Sequence, residues 1–102
     1  MSTLFIITYD VTDPETYAKY NPGSLPVIGA TIAKHGGEIL AASNAAEFTE
    51  GERRNVVVVL RFPSADAAKA WHEDPEYVAV RGNRLDASTN ITTILVDEMP
   101  KG

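Results

Sequence analysis

The stretch Asn55-Val-Val-Val-Val-Leu-Arg-Phe62, continued by Pro63-Ser64-Ala-Asp-Ala-Ala-Lys-Ala-Trp71 and His72-Glu-Asp74-Pro75-Glu76-Tyr77, decides the fold. An unbroken β-branched run that ends at a proline reads as a strand buried on both faces. Ser64 has the side chain to cap a helix that carries Ala67, Ala68 and Trp71 inward. Asp74-Pro75-Glu76 opens another helix, with an N-cap oxygen, a proline at the first helical position and an acid in the first turn. On that helix Tyr77, Val80, Arg81 and Arg84 share one face, with Val78 and Leu85 beside it.

Toward the N-terminus, Thr3 to Asp10 is a strand, with Phe5, Ile7 and Tyr9 on one face and Leu4, Ile6 and Thr8 on the other. Asp13-Pro14-Glu15 is a second Asp-Pro-Glu helix start, followed by Tyr17 and Tyr20 three residues apart. Asn21-Pro22-Gly23-Ser24 interrupts, and Ser24 is expected to cap a new segment from Leu25. There Leu25, Ile28, Ile32 and His35 form one stripe, which Gly36-Gly37 ends by supplying a left-handed residue. Glu38 to Ser43 is a short strand in which Ile39 and Ala41 alternate with Leu40 and Ala42. Asn44 to Arg54 is polar, a loop or hairpin arm with a turn at Glu50-Gly51. Ile91 to Glu98 is the last strand, and Pro100-Lys101-Gly102 is a tail.

The order is β-α-β-β-α-β, which packs as an α+β, ferredoxin-like, four-stranded antiparallel sheet with its helices on one face. Residues 1–102 are expected to make one such domain. The opposite sheet face should then be polar, yet one of the two sets of strand-one residues, with Val57 and Val59, makes it apolar. A second copy of the chain is the expected cover, giving a homodimer of the dimeric α+β barrel type.

Composition narrows the function classes. Hydrophobic residues are 44% and charged residues 23%, an ordinary globular balance. There is no cysteine, which excludes thiol catalysis, disulfides and cysteine-held metal. A net charge of -5 repels phosphate backbones and anionic membranes, so neither nucleic acid nor membrane is an expected partner. No apolar run approaches the ~20 residues of a membrane span, and the first ten residues lack the basic region of a signal peptide. A cytoplasmic location is the expectation.

Several of these stretches together resemble the domain-of-unknown-function family 1330. They are Asp13-Pro14-Glu15 with Tyr17 and Tyr20; His35-Gly36-Gly37, where the family usually has Tyr-Gly-Gly; Glu50-Gly51; and the Phe62-Pro63-Ser64 corner. Ala67-Ala68, Trp71, Pro75-Glu76-Tyr77 and Arg84 complete the set. The resemblance covers nearly the whole chain and implies the dimeric α+β barrel fold. It brings no agreed activity, and His35 departs from the motif.

Candidate chemistry falls on a few side chains. His35 is a candidate general acid or base, titrating near neutrality; the competing reading is a helix C-terminal residue favoured by the macrodipole. Arg84 and Arg81, with Tyr77 one turn earlier, can hold a carboxylate ligand; alternatively they pair with Asp74, Glu76 or Asp86. Arg61 falls on the open sheet face, where it must bind an anion or pair with Asp10 or an acid of a partner chain. Trp71 can stack on a planar ligand or fill the core. Tyr9, Tyr17, Tyr20 and Asn21 can line a polar-aromatic mouth or simply pack their rings.

Other readings fail on the residues. RNA-recognition modules need exposed aromatics and a Lys/Arg-Gly-aromatic opening, which Asn55–Phe62 lacks. Some related barrels carry a haem-ligating histidine about ten residues after the helix tryptophan; that count from Trp71 reaches Arg81. His35 and His72 are far apart and make a poor metal site, so no metal or cofactor is expected. Two hypotheses remain. One is a small-molecule pocket for an anionic or aromatic metabolite, in a cofactor-independent enzyme of monooxygenase or isomerase type. The other is a non-catalytic dimerisation or binding domain.

Overall fold

A computed structural model describes residues 2–100, leaving Met1 and the end of the expected tail, Lys101 and Gly102, outside the described residues. The elements are β1 (Thr3–Val11), α1 (Pro14–Ala18), α2 (Leu25–Lys34), β2 (Glu38–Ser43), β3 (Val56–Phe62), α3 (Ala65–His72), α4 (Pro75–Asp86) and β4 (Ser88–Asp97). The sheet order is β2-β3-β1-β4 with antiparallel neighbours throughout, which is the ferredoxin-like arrangement expected from the element order. Each helical connection is broken in two, at residues 19–24 and again at residues 73–74.

Capping residues set the helix starts. Ser64 accepts from the Ala67 amide at 3.1 Å, Asp74 from the Glu76 amide at 2.9 Å and Asp13 from the Thr16 amide at 3.3 Å. Ser24 behaves differently from expectation. It occupies the N-cap of α2 without accepting from the helix, and its hydroxyl donates instead to the Lys19 carbonyl at 2.7 Å. Pro at the start of α2 removes one of the amides such a cap would satisfy, and the preceding turn offers a free carbonyl. Gly36 ends α2 with φ +76, the left-handed conformation that favours glycine.

Register fixes the two sheet faces. Phe5 pairs with Leu60, Ile7 with Val58 and Tyr9 with Val56, all on the helix side. Phe5, Ile7, Tyr9, Leu60 and Phe62 are buried there with Ala68 and Trp71 of α3 and Tyr77 of α4. Trp71 meets Phe5 edge-on at 5.8 Å between centroids and overlies Tyr77 at 4.1 Å. The stretch from Asn55 to Tyr77 is therefore chiefly scaffold.

Two strand expectations change. In β2 the register shifts between Ile39 and Ala41, so Ile39 pairs with Leu60 and Ala42 with Val58. A bulge at Leu40 thus turns Ile39 and Ala42 to the same, helix-facing side, where simple alternation separated them. β4 begins at Ser88, three residues earlier than Ile91, because Ser88 and Thr89 pair with Val11 and Asp10 beyond a second register shift.

On the other face Leu4, Ile6 and Thr8 line up with Arg61, Val59 and Val57 on one side and with Val96, Ile94 and Thr92 on the other. Ile94 and Val96 are 48% and 45% exposed, so an apolar stripe crosses three strands without cover in the monomer. Among the described residues no helix is long and apolar enough to cross a membrane.

Candidate functional site

Helix α2 packs against α4 and leaves room between itself and the β2–β3 side of the sheet. A cavity of about 410 Å³ occupies that room. Ile28 and Ile32 of α2 form one wall, and Ile7, Val58, Leu60 and Ala42 of the sheet form the other. The bulge at Leu40 is what brings Ile39 and Ala42 to this side. Trp71, Tyr9, Tyr17, Tyr20 and Arg84 also line it, while Asn21, Ser43 and Asn44 are exposed lining residues.

Arg84 is the unusual member. Its side chain comes inward because Tyr77 and Arg84 lie seven residues apart on the buried face of α4. The residue is 1% exposed, and its Nε and Nη1 atoms are buried with no hydrogen-bond partner. Its Cζ lies 5.4 Å from the centroid of the Tyr9 ring and 5.9 Å from that of Tyr20. Those ring faces offset part of the desolvation of the cation but accept none of its N–H groups in the ordinary sense. Burial opposes its charge, yet the oxygens of Tyr77, Tyr20 and Tyr9 carry the pKa upward, so the guanidinium stays protonated.

The hydroxyls around it are donors as well. Tyr20 and Tyr77 share a 2.8 Å hydroxyl–hydroxyl bond, and Tyr9 and Tyr17 share one of 2.7 Å. Each pair uses one O–H between its members and leaves the other without an acceptor among the described side chains. Burial pushes the Tyr20 pKa well up, with Tyr77 adding to it; burial and the bond to Tyr17 do the same for Tyr9. These phenols are neutral at ordinary pH. Around the guanidinium the polar groups are thus phenols and no carboxylate, and Nε and Nη1 of Arg84 have no partner among the described residues.

The acids expected to balance the arginines are engaged elsewhere. Asp74 meets His35 Nε2 at 2.7 Å and Lys34 Nζ at 2.9 Å, and these hydrogen bonds, with that of the Glu76 amide, hold its carboxyl far below the usual range. His35, at the C-terminal end of α2, is tied into this cluster and does not line the cavity. Arg81 also lies outside the lining: its Nη1 donates to the His72 carbonyl at 2.8 Å and lies 3.3 Å from Glu73. Arg61 pairs with Glu98 and, at 2.8 Å, with Glu38. Asp10, the counter-ion expected for it, belongs instead to Arg54, the Asn55 amide and Asn90, because it lies at the other end of β1.

Of the residues singled out from sequence, the cavity collects Tyr9, Tyr17, Tyr20, Asn21, Trp71 and Arg84, with Tyr77 behind Tyr20. It does not collect His35, Arg81 or Arg61. Trp71 is wedged, its Nε1 donating to Thr31 Oγ1 at 3.1 Å. The contribution of β2, with Ser43 and Asn44, depends on the bulge at Leu40, which the apolar run from Ile39 to Ala42 does not signal. Among the described residues no three His, Cys, Asp or Glu side chains cluster as metal ligands would.

The molecule is a ferredoxin-like α+β protein with an arginine-floored cavity between its helices and its sheet. The chain belongs to the family described as Domain of unknown function (DUF1330), whose model matches residues 2–99. No curated protein matches it at a significant level. Solved structures share the fold. A protein of unknown function from Rhodopseudomonas palustris is 17% identical with a TM-score of 0.77, covering 98% of this chain and 84% of that one. A dimeric ferredoxin-like protein of unknown function from Jannaschia sp. CCS1 is 11% identical with a TM-score of 0.77, covering 96% and 100%. SnoaB, a cofactor-independent oxygenase from Streptomyces nogalater, is 14% identical with a TM-score of 0.66, covering 98% and 95%. At such identities the likeness is one of fold, and one fold serves many activities.

Proposed function

We propose that the protein binds a small organic anion in the cavity beneath α2, with Arg84 as its counter-charge. The observation that carries this reading is the buried guanidinium with Nε and Nη1 unpartnered in a space of about 410 Å³. An unpaired buried donor is costly, and a charged one more so, unless something accepts from it. Arginine presents its N–H groups as a fork that matches the two oxygens of a carboxylate. The volume lies in the range of small-molecule sites, and the apolar walls suit a hydrocarbon body.

The same arrangement supports a second, catalytic reading of limited scope. Donors grouped around an anion stabilise an enolate or phenolate as well as a carboxylate. Apart from the tyrosines and Arg84, no titratable side chain lines the cavity, and His35 is held by Asp74 outside it. Chemistry here would act on a substrate that arrives already ionised, whereas an isomerase would need a base in the lining. The protein also assembles, on this reading, as a homodimer through the open sheet face, with Ile6, Val59, Ile94 and Val96 covered by the second copy. The Jannaschia relative is described as dimeric, which supports that assembly.

Thermal-shift titration with small monocarboxylates, benzoate first, tests the binding. At a hundred times its Kd a ligand adds about 2.7 kcal/mol to the folded state. Stabilisation that disappears in Arg84→Gln is the expected result. No stabilisation from any monocarboxylate, or an equal response in Arg84→Gln, overturns the reading.

A further inference from the structure

Strand register orders the residues that line the cavity. Tyr9 pairs with Val56, Ile7 with Val58 and Phe5 with Leu60. On β2, Ile39 pairs with Leu60, Ala42 with Val58 and Ser43 with Val57, and Asn44 comes next toward Val56. Helix α2 follows the same direction. Ile32 is at the Leu60 end, since a Cβ on Gly37 would meet both Ile32 and Phe62, while Leu25 opens the helix after Tyr20 and Asn21. Arg84 belongs to the Tyr9 and Val56 end, its Cζ 5.4 Å from the Tyr9 ring centroid and 5.9 Å from that of Tyr20. The charge and the amide and hydroxyl groups of Asn21, Ser43 and Asn44 therefore gather at one end. At the other end stand Ile32, Ile39, Leu60 and Trp71, whose one polar side-chain atom, Trp71 Nε1, is spent on Thr31.

Resting on the anion-binding reading above, we infer that the ligand is an amphiphilic monocarboxylate, with every polar group at or beside its carboxylate and an unsubstituted hydrocarbon tail. The carboxylate meets Arg84, and the tail runs past Ile7, Ile28 and Val58 to Leu60 and Ile39. Arg84 is the single cationic side chain among the described lining residues and no acid accompanies it, which matches one negative charge. A hydroxyl or second carboxylate carried to the Leu60 end would lose water and find no partner there. A polar group beside the carboxylate has Asn21, Ser43 and Asn44 at its own end, and amides both donate and accept. From the Val56 row to the Leu60 row is four residues of strand, about 13 Å, which an extended acid of about eight to ten carbons spans. Ile39 is 52% exposed at the far end, so a tail lying against it removes apolar surface from water.

Isothermal titration on the intact protein with butanoate, octanoate, 2-hydroxyoctanoate, 8-hydroxyoctanoate and octanamide tests the assignment. Each buried methylene is worth about fourfold in affinity, so octanoate should bind about tenfold tighter than butanoate, or better. The 2-hydroxy acid should stay within about threefold of octanoate, while 8-hydroxyoctanoate and octanamide should bind about tenfold weaker or worse. Ile39→Ser, a change at an exposed residue, should weaken octanoate by about threefold or more. An unchanged octanoate affinity in that variant would overturn the path of the tail. Octanoate no tighter than butanoate, or 8-hydroxyoctanoate equal to octanoate, would overturn the one-ended ligand while anion binding at Arg84 stands. A 2-hydroxy acid weakened as much as the 8-hydroxy isomer would overturn the grouping of polar partners at the head. Octanamide as tight as octanoate, octanoate binding that persists in Arg84→Gln, or failure of every carboxylate would overturn both the inference and the reading it rests on.

Discussion

Arg84→Met should make the unliganded protein more stable while abolishing its response to carboxylates. Methionine keeps most of the length of the arginine stem and suits an irregular apolar space. It removes two buried nitrogen centres, Nε and Nη1, that have no partner. Each costs about 1–3 kcal/mol when left unsatisfied. Against that gain stands the loss of two cation–π contacts, to Tyr9 and Tyr20, at about 0.5–2 kcal/mol each. The balance favours methionine by about 1–2 kcal/mol, which for a domain of this size raises Tm by roughly 5–15 °C. The comparison requires the same protomer concentration for both proteins, since an assembling protein gains apparent stability with concentration. Differential scanning calorimetry without ligand and then with saturating benzoate reads both halves. A folded Arg84→Met that loses 1 kcal/mol or more, or one that fails to fold, would refute the reasoning. Either result would mean that the guanidinium is satisfied from within the chain and is no ligand anchor.

Three other perturbations bear on the frame around the site. Ile94→Lys places a charge opposite Ile6 in the middle of the open sheet face and should convert the homodimer to monomer; sedimentation velocity at micromolar concentration checks it, and an unchanged dimer would place the interface elsewhere. Asp74 has its folded pKa depressed, chiefly by His35 and Lys34, so its stabilisation is complete above the unfolded carboxylate value of about 4 and is lost as pH falls below it. Urea midpoints should therefore fall between about pH 5 and pH 2 more steeply in the wild type than in Asp74→Asn, and parallel curves would contradict the sign. A Cβ added at Gly37 would stand 2.5 Å from Phe62 Cε1 and 3.0 Å from Ile32 Cγ2, so Gly37→Ala should cost about 1–3 kcal/mol by chemical denaturation; a neutral result would show that the turn after α2 can move aside.

The frame was legible because local signals agreed with one another. Proline and acid marked two helix starts, serine marked a third, and the run from Val56 to Phe62 left only one burial pattern. What escaped was two-fold. Ile39, Leu40, Ala41 and Ala42 are all apolar, so their order carries no phase, and a bulge among them is invisible until β3 fixes the register. The site arginine was legible as a position and not as a state. Spacing put Arg84 on one face with Tyr77 and Arg81, but Arg81 turned to the His72 carbonyl while Arg84 turned inward, and that choice depends on Tyr9 and Tyr20, distant in sequence. For His35 the stripe with Ile28 and Ile32 was legible, while its hydrogen bond to Asp74 needed the placement of α4.

That contrast separates the two functions a domain like this can have. Dimerisation through the open sheet face, as proposed, would ask nothing of the opposite side, where a compact core of leucines would serve better than a hollow. Domains of about a hundred residues have only about 5–15 kcal/mol of net stability. A buried guanidinium with Nε and Nη1 unpartnered among the described residues is a cost against such a margin. The pairs Tyr9–Tyr17 and Tyr20–Tyr77 each use one O–H internally, while Nε and Nη1 of Arg84 find no partner among the described residues. A purely structural module would gain from replacing Arg84 and closing the space, as the calorimetry of Arg84→Met should reveal. On the proposed reading an anion supplies the acceptor that Nε and Nη1 of Arg84 lack, which would make the helix side the binding side and the sheet face the assembly side.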